Sequence, residues 1–246
     1  MRRLLLVVLA LVVLAGCGDD DSGGGGGANP TLKVFAASSL KEAFTAYGGA
    51  KFSFAGSDEL AAQIREGVAP DVFASANTKY PDQLFRAGLV EKPVDFTANR
   101  LVLAGPADGD VRSLADAGRA GMKVAIGAKG VPVGDYTRDV LGRLGPEGAA
   151  ILRNVRSEEP DVKGIVAKLT QSAADAGFVY ITDVNATKGA LRAIELPASA
   201  QPRVVYAVAV VKGTRHPDEA KAFIDGLLSG RGEQALRAAG FEPPPA

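Results

Sequence analysis

From Thr31 onward, short apolar segments alternate with segments in which apolar residues recur every three or four positions. The first pattern is typical of buried strands and the second of amphipathic helices. Strands that alternate with helices indicate an α/β fold built from βαβ units around a mostly parallel sheet. The predicted strands are 32–36, 51–54, 72–74, 101–104, 123–126, 177–180, 191–196 and 204–211. The predicted helices lie near 40–46, 59–66, 82–87, 136–144, 147–154, 162–172, 218–228 and 233–239.

Two of the predicted strands, RLVLAG and RVVYAVAVVKG, lie far apart in the chain and enclose an α/β set of their own. We therefore expect two lobes joined by two crossing strands, with the first lobe completed by the C-terminus. The expected first lobe comprises residues 31–102 and 208–246, and the second comprises residues 103–207. Two lobes on such a hinge form a cleft, where ligands commonly bind and around which domains close.

The N-terminus carries a pattern that belongs to export and not to the fold. An arginine pair precedes an uncharged apolar run at 4–14, which is too short to cross a membrane comfortably. The run ends in LAGC, which resembles a bacterial lipobox and predicts lipidation of Cys17; a secretory peptide with an incidental cysteine is the alternative. We expect a lipoprotein signal peptide over 1–17 and a flexible Gly/Ser-rich tether over 18–30. The protein would then be extracytoplasmic and anchored to the cell membrane by Cys17.

Composition narrows the classes of function. The 246 residues include 28 basic and 28 acidic side chains, and this balance gives no indication of a nucleic-acid partner. A single cysteine excludes an internal disulfide. A single histidine argues against metal sites built from histidine clusters. We expect no bare metal ion and no cofactor.

The stretch KVFAASSLKEAF places two serines where a strand ends and a helix begins. If Ser39 is the N-cap, Glu42 falls at the third helical position and completes a capping box. The same junction is also suited to an anion, because helix N-termini present free N–H groups and a partial positive charge. These residues alone leave both interpretations open.

Three further junctions follow the same plan. Ser57 precedes a helix in KFSFAGSDELAAQI, a glycine-rich turn precedes VPVGDY, and Asp161 can cap a helix that begins at Val162. The glycine-rich turn is neither a P-loop nor a dinucleotide fingerprint, because the required spacing is missing. Four such starts, two from each expected lobe, could converge on one cleft.

Seven segments in chain order resemble the molybdate-binding proteins of bacterial ABC importers: VFAASSLKEAF, FAGSDELAAQI, PDVFASAN, VPVGDY, PDVKGIVAKL, AGFVYITDV and VVYAVAVVKGT. The resemblance spans residues 32–241 and implies the two-lobed type II periplasmic-binding-protein fold. It further implies a monomeric receptor, not an enzyme, that delivers molybdate or tungstate to an ABC transporter permease. The implied ligand contacts are the hydroxyls of Ser39, Ser57 and Tyr180 and the backbone N–H groups of Val133 and Val162.

The implied contacts share one chemical property: all of them donate hydrogen bonds. A buried dianion is very unfavourable unless it is hydrogen bonded, and bonds to a charged acceptor contribute about 1.5–3 kcal/mol each. A site built only of donors also rejects protonated anions such as hydrogen phosphate, which need an acceptor. Discrimination between molybdate and sulfate is then left to the size of the cavity.

Three alternatives remain open on the sequence. The same fold could hold sulfate or phosphate, and phosphate would be favoured if Asp58 faced the cleft; we expect Asp58 to point outward. A serine hydrolase using Ser38 or Ser39 lacks a Gly-x-Ser-x-Gly elbow, and the lone His216 lies near the other end of the chain. A purely structural lipoprotein would show no change in stability with any ligand.

Overall fold

The computed structural model describes residues 31–245, so Cys17, the predicted signal peptide and the whole predicted tether lie outside the described residues. The strands are β1 (Leu32–Ala37), β2 (Ala50–Ala55), β3 (Val72–Ser75), β4 (Val94–Asn99), β5 (Leu101–Pro106), β6 (Val124–Gly127), β7 (Val155–Glu159), β8 (Ala176–Tyr180), β9 (Leu191–Ile194) and β10 (Val204–Val210). The helices are α1 (Lys41–Tyr47), α2 (Ser57–Arg65), α3 (Lys79–Arg86), α4 (Leu114–Ala117), α5 (Pro132–Arg143), α6 (Pro146–Arg153), α7 (Val162–Thr170), α8 (Ile181–Ala186), α9 (Pro217–Ser229) and α10 (Arg231–Ala239). None of the helices in this range is long and apolar enough to cross a membrane.

The strands form two five-stranded sheets, and the expected α/β class is confirmed. The first sheet has the order β2-β1-β3-β10-β4, and the second has the order β7-β6-β8-β5-β9. In each sheet two parallel pairings are followed by two antiparallel ones, so the sheets are mixed and not mostly parallel. We call the first sheet with α1–α3, α9 and α10 the first unit, and the second sheet with α4–α8 the second unit.

The chain passes between the units twice. It leaves the first sheet after β4, crosses at Arg100 and enters the second sheet as β5; it returns between β9 and β10. The boundaries expected at 102 and 207 fall inside β5 and β10, each of which belongs to one sheet only. The sequence did not predict β4, because the polar residues in VDFTAN obscure the apolar pattern of a strand. The predicted first crossing between the lobes therefore lies too late along the chain.

The core of the first unit shows why the C-terminal helices belong to it. The fully buried ring of Phe44 on α1 packs against Phe52 of β2 and Phe223 of α9, with ring centroids 5.7 and 5.8 Å apart. Helix α10 packs on α1. Because apolar burial is the main stabilising term, these contacts fix the returning chain against the first sheet.

Helices α5 and α6 approach each other closely at Gly148. A methyl group at this position would lie 1.9 Å from the carbonyl oxygen of Leu141. We predict that Gly148→Ala lowers the free energy of unfolding by about 1–3 kcal/mol, because backbone atoms must move apart. Urea unfolding of the purified protein measures this change.

Gly142, in the neighbouring helix α5, is the matched control. No atom lies within 4 Å of a methyl group added there. Gly142→Ala should raise stability by about 0.5–1 kcal/mol, since alanine restricts the unfolded chain and favours the helix. Equal effects of the two substitutions would contradict the packing described for Gly148.

Candidate anion-binding site

A small cavity lies where the two units meet, and all five of the predicted contact residues line it. The cavity volume is ≈ 10 Å³, which is about the room that one water molecule requires. The predicted residues at its wall are Ser39, Ser57, Val133, Val162 and Tyr180, and the remaining lining residues are Ala37, Ser38, Ala55, Gly56, Ala76, Val131, Pro132 and Asp161. Residues that are distant in the sequence are therefore brought to one place by the strand–helix junctions of both sheets.

Three helices begin at the cavity. Ser57 is the first residue of α2, Val133 is the second residue of α5, and Val162 is the first residue of α7. The first N–H groups of a helix have no acceptor within the helix, and the aligned peptide dipoles leave partial positive charge there. The cavity is therefore surrounded by backbone donors and a positive field without a cationic side chain.

The only carboxylate among the lining residues is already engaged. Asp161 caps α7, as the sequence predicted, and its Oδ1 accepts a hydrogen bond from the N–H of Gly164 at 2.9 Å. No lysine or arginine belongs to the lining. The wall is therefore rich in donors and carries no compensating positive side chain.

Ser39 does not cap a helix, so the capping-box interpretation is wrong. Residues Ser38–Leu40 form a 3₁₀ turn, α1 begins only at Lys41, and no side chain caps it. The Oγ atom of Ser39 instead lies 2.9 Å from the hydroxyl of Tyr206 and is buried with it. The 3₁₀ turn moves the start of α1 along the chain and leaves the Ser39 hydroxyl at the cavity.

Ser57 is held differently. Gly56 is the N-cap of α2, and the Oγ atom of Ser57 accepts a hydrogen bond from the backbone N–H of Ala76 at 3.0 Å. Because a serine hydroxyl can accept and donate at once, its own hydrogen stays available. Ser57 can therefore donate into the cavity that it lines.

Tyr180 ends β8 with a buried phenol that lacks a partner. The residue is 1% exposed, and no group in the described part of the chain hydrogen bonds to its hydroxyl. Burial, together with the nearby Tyr206, raises its pKa well above the ordinary value, so the phenol stays protonated. Buried polar groups are nearly always paired, so an unpaired donor at a cavity wall indicates a place for an acceptor.

Two buried residues that sequence reasoning missed lie directly behind the wall. Tyr206 is fully buried on β10, and Asn99 ends β4 with 4% exposure. The segment VVYAVAV predicted only a strand. A tyrosine hydroxyl within such an apolar run needs a buried hydrogen-bond partner. This requirement could have identified Tyr206 from the sequence.

On one side of the cavity, contacts between α3 and the segment around the start of α5 join the two units. The Tyr80 hydroxyl donates to the carbonyl oxygen of Gly130 at 2.5 Å, and Lys79 Nζ lies 3.1 Å from Asp135 Oδ2. The ion pair is substantially exposed, so it contributes little to stability. The tyrosine contact is the more shielded link between the two units on this side.

On the other side, Lys163 of α7 lies between two carboxylates. Its Nζ is 2.9 Å from Oε2 of Glu42 in the first unit and 3.1 Å from Oδ1 of Asp183 in the second. Burial lowers the pKa of Lys163, but the two carboxylates more than offset this and raise it overall. Lys163 therefore stays charged and links the two units.

Asp58 does not point outward as expected. Its Oδ1 is buried and has no hydrogen-bond partner among residues 31–245. Burial raises the pKa of this carboxyl, and the backbone N–H groups of Asp58 and Glu59 oppose the shift. Asp58 is not part of the cavity wall, so its carboxyl lies beside the cavity at the junction of the units.

The hydrolase alternative finds no support in this arrangement. His216 precedes α9 and does not line the cavity that contains Ser38 and Ser39. Within residues 31–245, no group of three or more His, Cys, Asp or Glu side chains is placed to hold a metal ion.

Two α/β units that face each other across a cavity built from helix N-termini define a periplasmic-binding-protein fold. Residues 32–242 match the model of the bacterial extracellular solute-binding protein family, and the chain belongs to this family.

Individual relatives agree with this assignment. The chain is 35% identical over 227 residues to the molybdate-binding protein ModA of Mycobacterium tuberculosis, covering 87% of this chain and 85% of that protein. It is 30% identical over 233 residues to the protein of the same name from Escherichia coli, with coverages of 85% and 88%. The solved periplasmic molybdate-binding protein of Azotobacter vinelandii superposes with a TM-score of 0.75 at 21% identity, over 87% of this chain and all of that one.

Gly56 allows the two units to meet beside the cavity. A methyl group at this position would lie 2.6 Å from the carbonyl oxygen of Pro160 in the second unit and 2.6 Å from Oδ1 of Asp58. We predict that Gly56→Ala holds the units apart and makes the chain more expanded in small-angle X-ray scattering. Gly142→Ala, where a methyl group on helix α5 meets no atom within 4 Å, leaves the scattering curve unchanged. An unchanged curve for Gly56→Ala would show that this contact does not limit closure.

Asp183 should make stability depend on pH. Burial raises its pKa to about 6 from 3.8, and Lys163 only partly counters this. The folded state then holds the proton more tightly than the unfolded state, so stability falls as pH rises between about 4 and 6. We predict a loss of about 1–3 kcal/mol over this window from the Asp183 carboxyl.

Urea unfolding at several pH values tests this dependence, with Asp183→Asn as the comparison. The amide cannot ionise, so the free energy of unfolding of Asp183→Asn should fall less steeply between pH 4 and 6 than that of the wild type. Identical slopes would mean that Asp183 does not titrate in this range.

Proposed function

We propose that this chain captures molybdate, or tungstate, outside the cytoplasm and delivers it to the permease of an ABC transporter. In this proposal the chain binds and releases the anion and catalyses no reaction. The observation that carries it is one cavity lined by donors from both units, with the phenol of Tyr180 buried and unpartnered. The molybdate-binding relatives from Mycobacterium tuberculosis and Escherichia coli support the choice of anion.

The five contacts would act together on a tetrahedral dianion. Ser39, Ser57 and Tyr180 supply hydroxyl hydrogens, while Val133 and Val162 supply backbone N–H groups at the starts of α5 and α7. Each bond to the charged acceptor contributes about 1.5–3 kcal/mol, which offsets the loss of hydration. The helix N-termini add a favourable field that needs no side-chain charge.

Closure of the units follows from where the donors are placed. Ser39 and Ser57 belong to the first unit, whereas Val133, Val162 and Tyr180 belong to the second. An anion that bonds to both sets favours the closed arrangement because it binds this state more tightly than an open one. The permease would recognise the surface that forms when the two units close.

The remaining parts of the proposal concern location and assembly. A monomeric receptor tethered by residues 18–30 to a lipidated Cys17 would remain close to its permease. This arrangement is supported by the lipobox-like LAGC motif and by the membership of the chain in an extracellular solute-binding family.

Thermal unfolding with molybdate, tungstate, sulfate or phosphate tests the proposal. Molybdate and tungstate at about 1,000 times the dissociation constant should add about 4 kcal/mol of stability. Sulfate and phosphate should add much less at the same concentration. A shift with phosphate alone would assign a different ligand, and no shift with any anion would refute the receptor proposal.

Two substitutions test the site itself. Ser57→Ala and Tyr180→Phe each remove one donor and should weaken molybdate binding about 10–100-fold, measured by isothermal titration calorimetry. Ser53→Ala removes an exposed hydroxyl from β2 and serves as the control, with unchanged affinity. Equal affinities for all three variants would exclude Ser57 and Tyr180 as ligands.

A further inference from the structure

The orientation of the Asn99 side chain is determined by a neighbour that can only donate. The backbone N–H of Arg100 donates to Oδ1 of Asn99 at 2.9 Å. The amide nitrogen therefore occupies the other position, where Nδ2 lies 2.9 Å from Oγ1 of Thr182 and 3.4 Å from the hydroxyl oxygen of Tyr206. Nδ2 carries two hydrogens and can donate to both oxygens.

This orientation favours one direction for the next hydrogen bond, in which either hydroxyl could donate on distance alone. Because the Tyr206 oxygen accepts from Asn99, its hydrogen is free for the Oγ atom of Ser39, 2.9 Å away. Ser39 then accepts from Tyr206 and does not spend its own hydrogen on that bond. The hydrogen of Ser39 is left for the cavity that this residue lines.

The chain of bonds is shielded from solvent. Ser39 and Asn99 are each 4% exposed, and Tyr206 is fully buried. Burial raises the pKa of Tyr206 well above its ordinary value, so the phenol keeps the hydrogen that the chain requires.

We propose that Asn99 and Tyr206 are positioning residues that make Ser39 an obligate hydrogen-bond donor to the bound anion. This inference deepens the proposed function and rests on it. The direction of donation runs from Asn99 to Tyr206, from Tyr206 to Ser39, and from Ser39 to the ligand. The relay also polarises each hydroxyl in turn, which strengthens the last donor.

Ser57 shows the same constraint in a simpler form. Its Oγ accepts from the backbone N–H of Ala76, a group that can only donate. Ser57 is therefore fixed as a donor by the backbone, whereas Ser39 is fixed by side chains that can be substituted. Substitution behind Ser39 tests the principle without touching the cavity wall.

Asn99→Asp should reverse the relay. One carboxylate oxygen can keep the bond from Arg100, while the other accepts from Tyr206 and turns the phenol hydrogen away from Ser39. Ser39 must then donate to Tyr206, and its hydrogen is lost to the ligand. We expect molybdate affinity to fall at least about 10-fold, the order of one lost hydrogen bond to a charged acceptor.

The decisive comparison repeats the substitution in a Ser39→Ala background. The added negative charge repels molybdate whether or not Ser39 is present, but the reversed hydrogen bond has no effect without it. We expect Asn99→Asp to weaken binding by less than about 3-fold in that background. Equal losses in both backgrounds would overturn the relay.

Tyr206→Phe gives a second cycle that introduces no charge and keeps the packing of the ring. It should weaken binding in the wild type and have no effect on the Ser39→Ala protein. Tyr47→Phe is the matched control. It removes a hydroxyl that donates to the Phe223 carbonyl oxygen at 3.1 Å, and neither residue lines the cavity. Molybdate affinity of this control should equal that of the wild type.

Neutron diffraction from crystals of the deuterated, ligand-free protein decides the direction without any ligand. A deuterium on Tyr206 that points to Oγ of Ser39 supports the relay. A deuterium on Ser39 that points to Tyr206 overturns it. If the wild-type protein fails to bind molybdate, the proposed function fails, while the neutron map still decides the inference.

Discussion

The structure depends on one electrostatic constraint: a doubly charged anion can be buried here only if hydrogen bonds replace its water, because the cavity wall offers no cation. Helix N-termini meet this constraint with groups that the backbone already carries. The fold has only to bring several of them to one point. Two sheets whose strand–helix junctions face each other do so, and the rest of the architecture positions these junctions.

Side-chain hydroxyls supply further hydrogen-bond donors to the cavity beside the backbone N–H groups. A backbone N–H has one fixed role, but a hydroxyl can donate or accept, so its role must be determined by its neighbours. Around this cavity the neighbours are the N–H of Ala76 behind Ser57 and the phenol of Tyr206 behind Ser39. The direction in which these two hydroxyls can donate therefore depends on the groups that lie behind them.

Much of the fold was readable from the sequence. All eight predicted strands and all eight predicted helices have counterparts, because each carries a clear apolar period. The omissions, β4, β7, α4 and α8, are short or mix polar residues into the pattern. VRSEE pairs as β7 beside β6 despite being largely polar, since its position at the sheet edge leaves its side chains half in solvent.

The site was predicted through resemblance, and the details that depend on tertiary contact were not. The five predicted residues meet at one cavity. The sequence around Ser39 also favoured a capping box, which the 3₁₀ turn excludes. Burial of the Asp58 carboxyl and the bonds of Asn99 to Thr182 and Tyr206 arise between segments far apart in the chain, and no local pattern signals them.

Because the relay lies within the first unit, the structure also bears on the order in which the two units contact the anion. Ser39, Asn99 and Tyr206 follow or belong to β1, β4 and β10, and Ser57 and Ala76 follow β2 and β3, so all of these groups move with the first sheet. Separating the units leaves their mutual bonds intact. The first unit thus forms a preoriented landing surface, on which an arriving anion meets two aligned hydroxyl hydrogens before the second unit engages. Recognition would then be sequential. The anion would first accept hydrogen bonds from the first unit, and its size would matter only when the second unit closes on it.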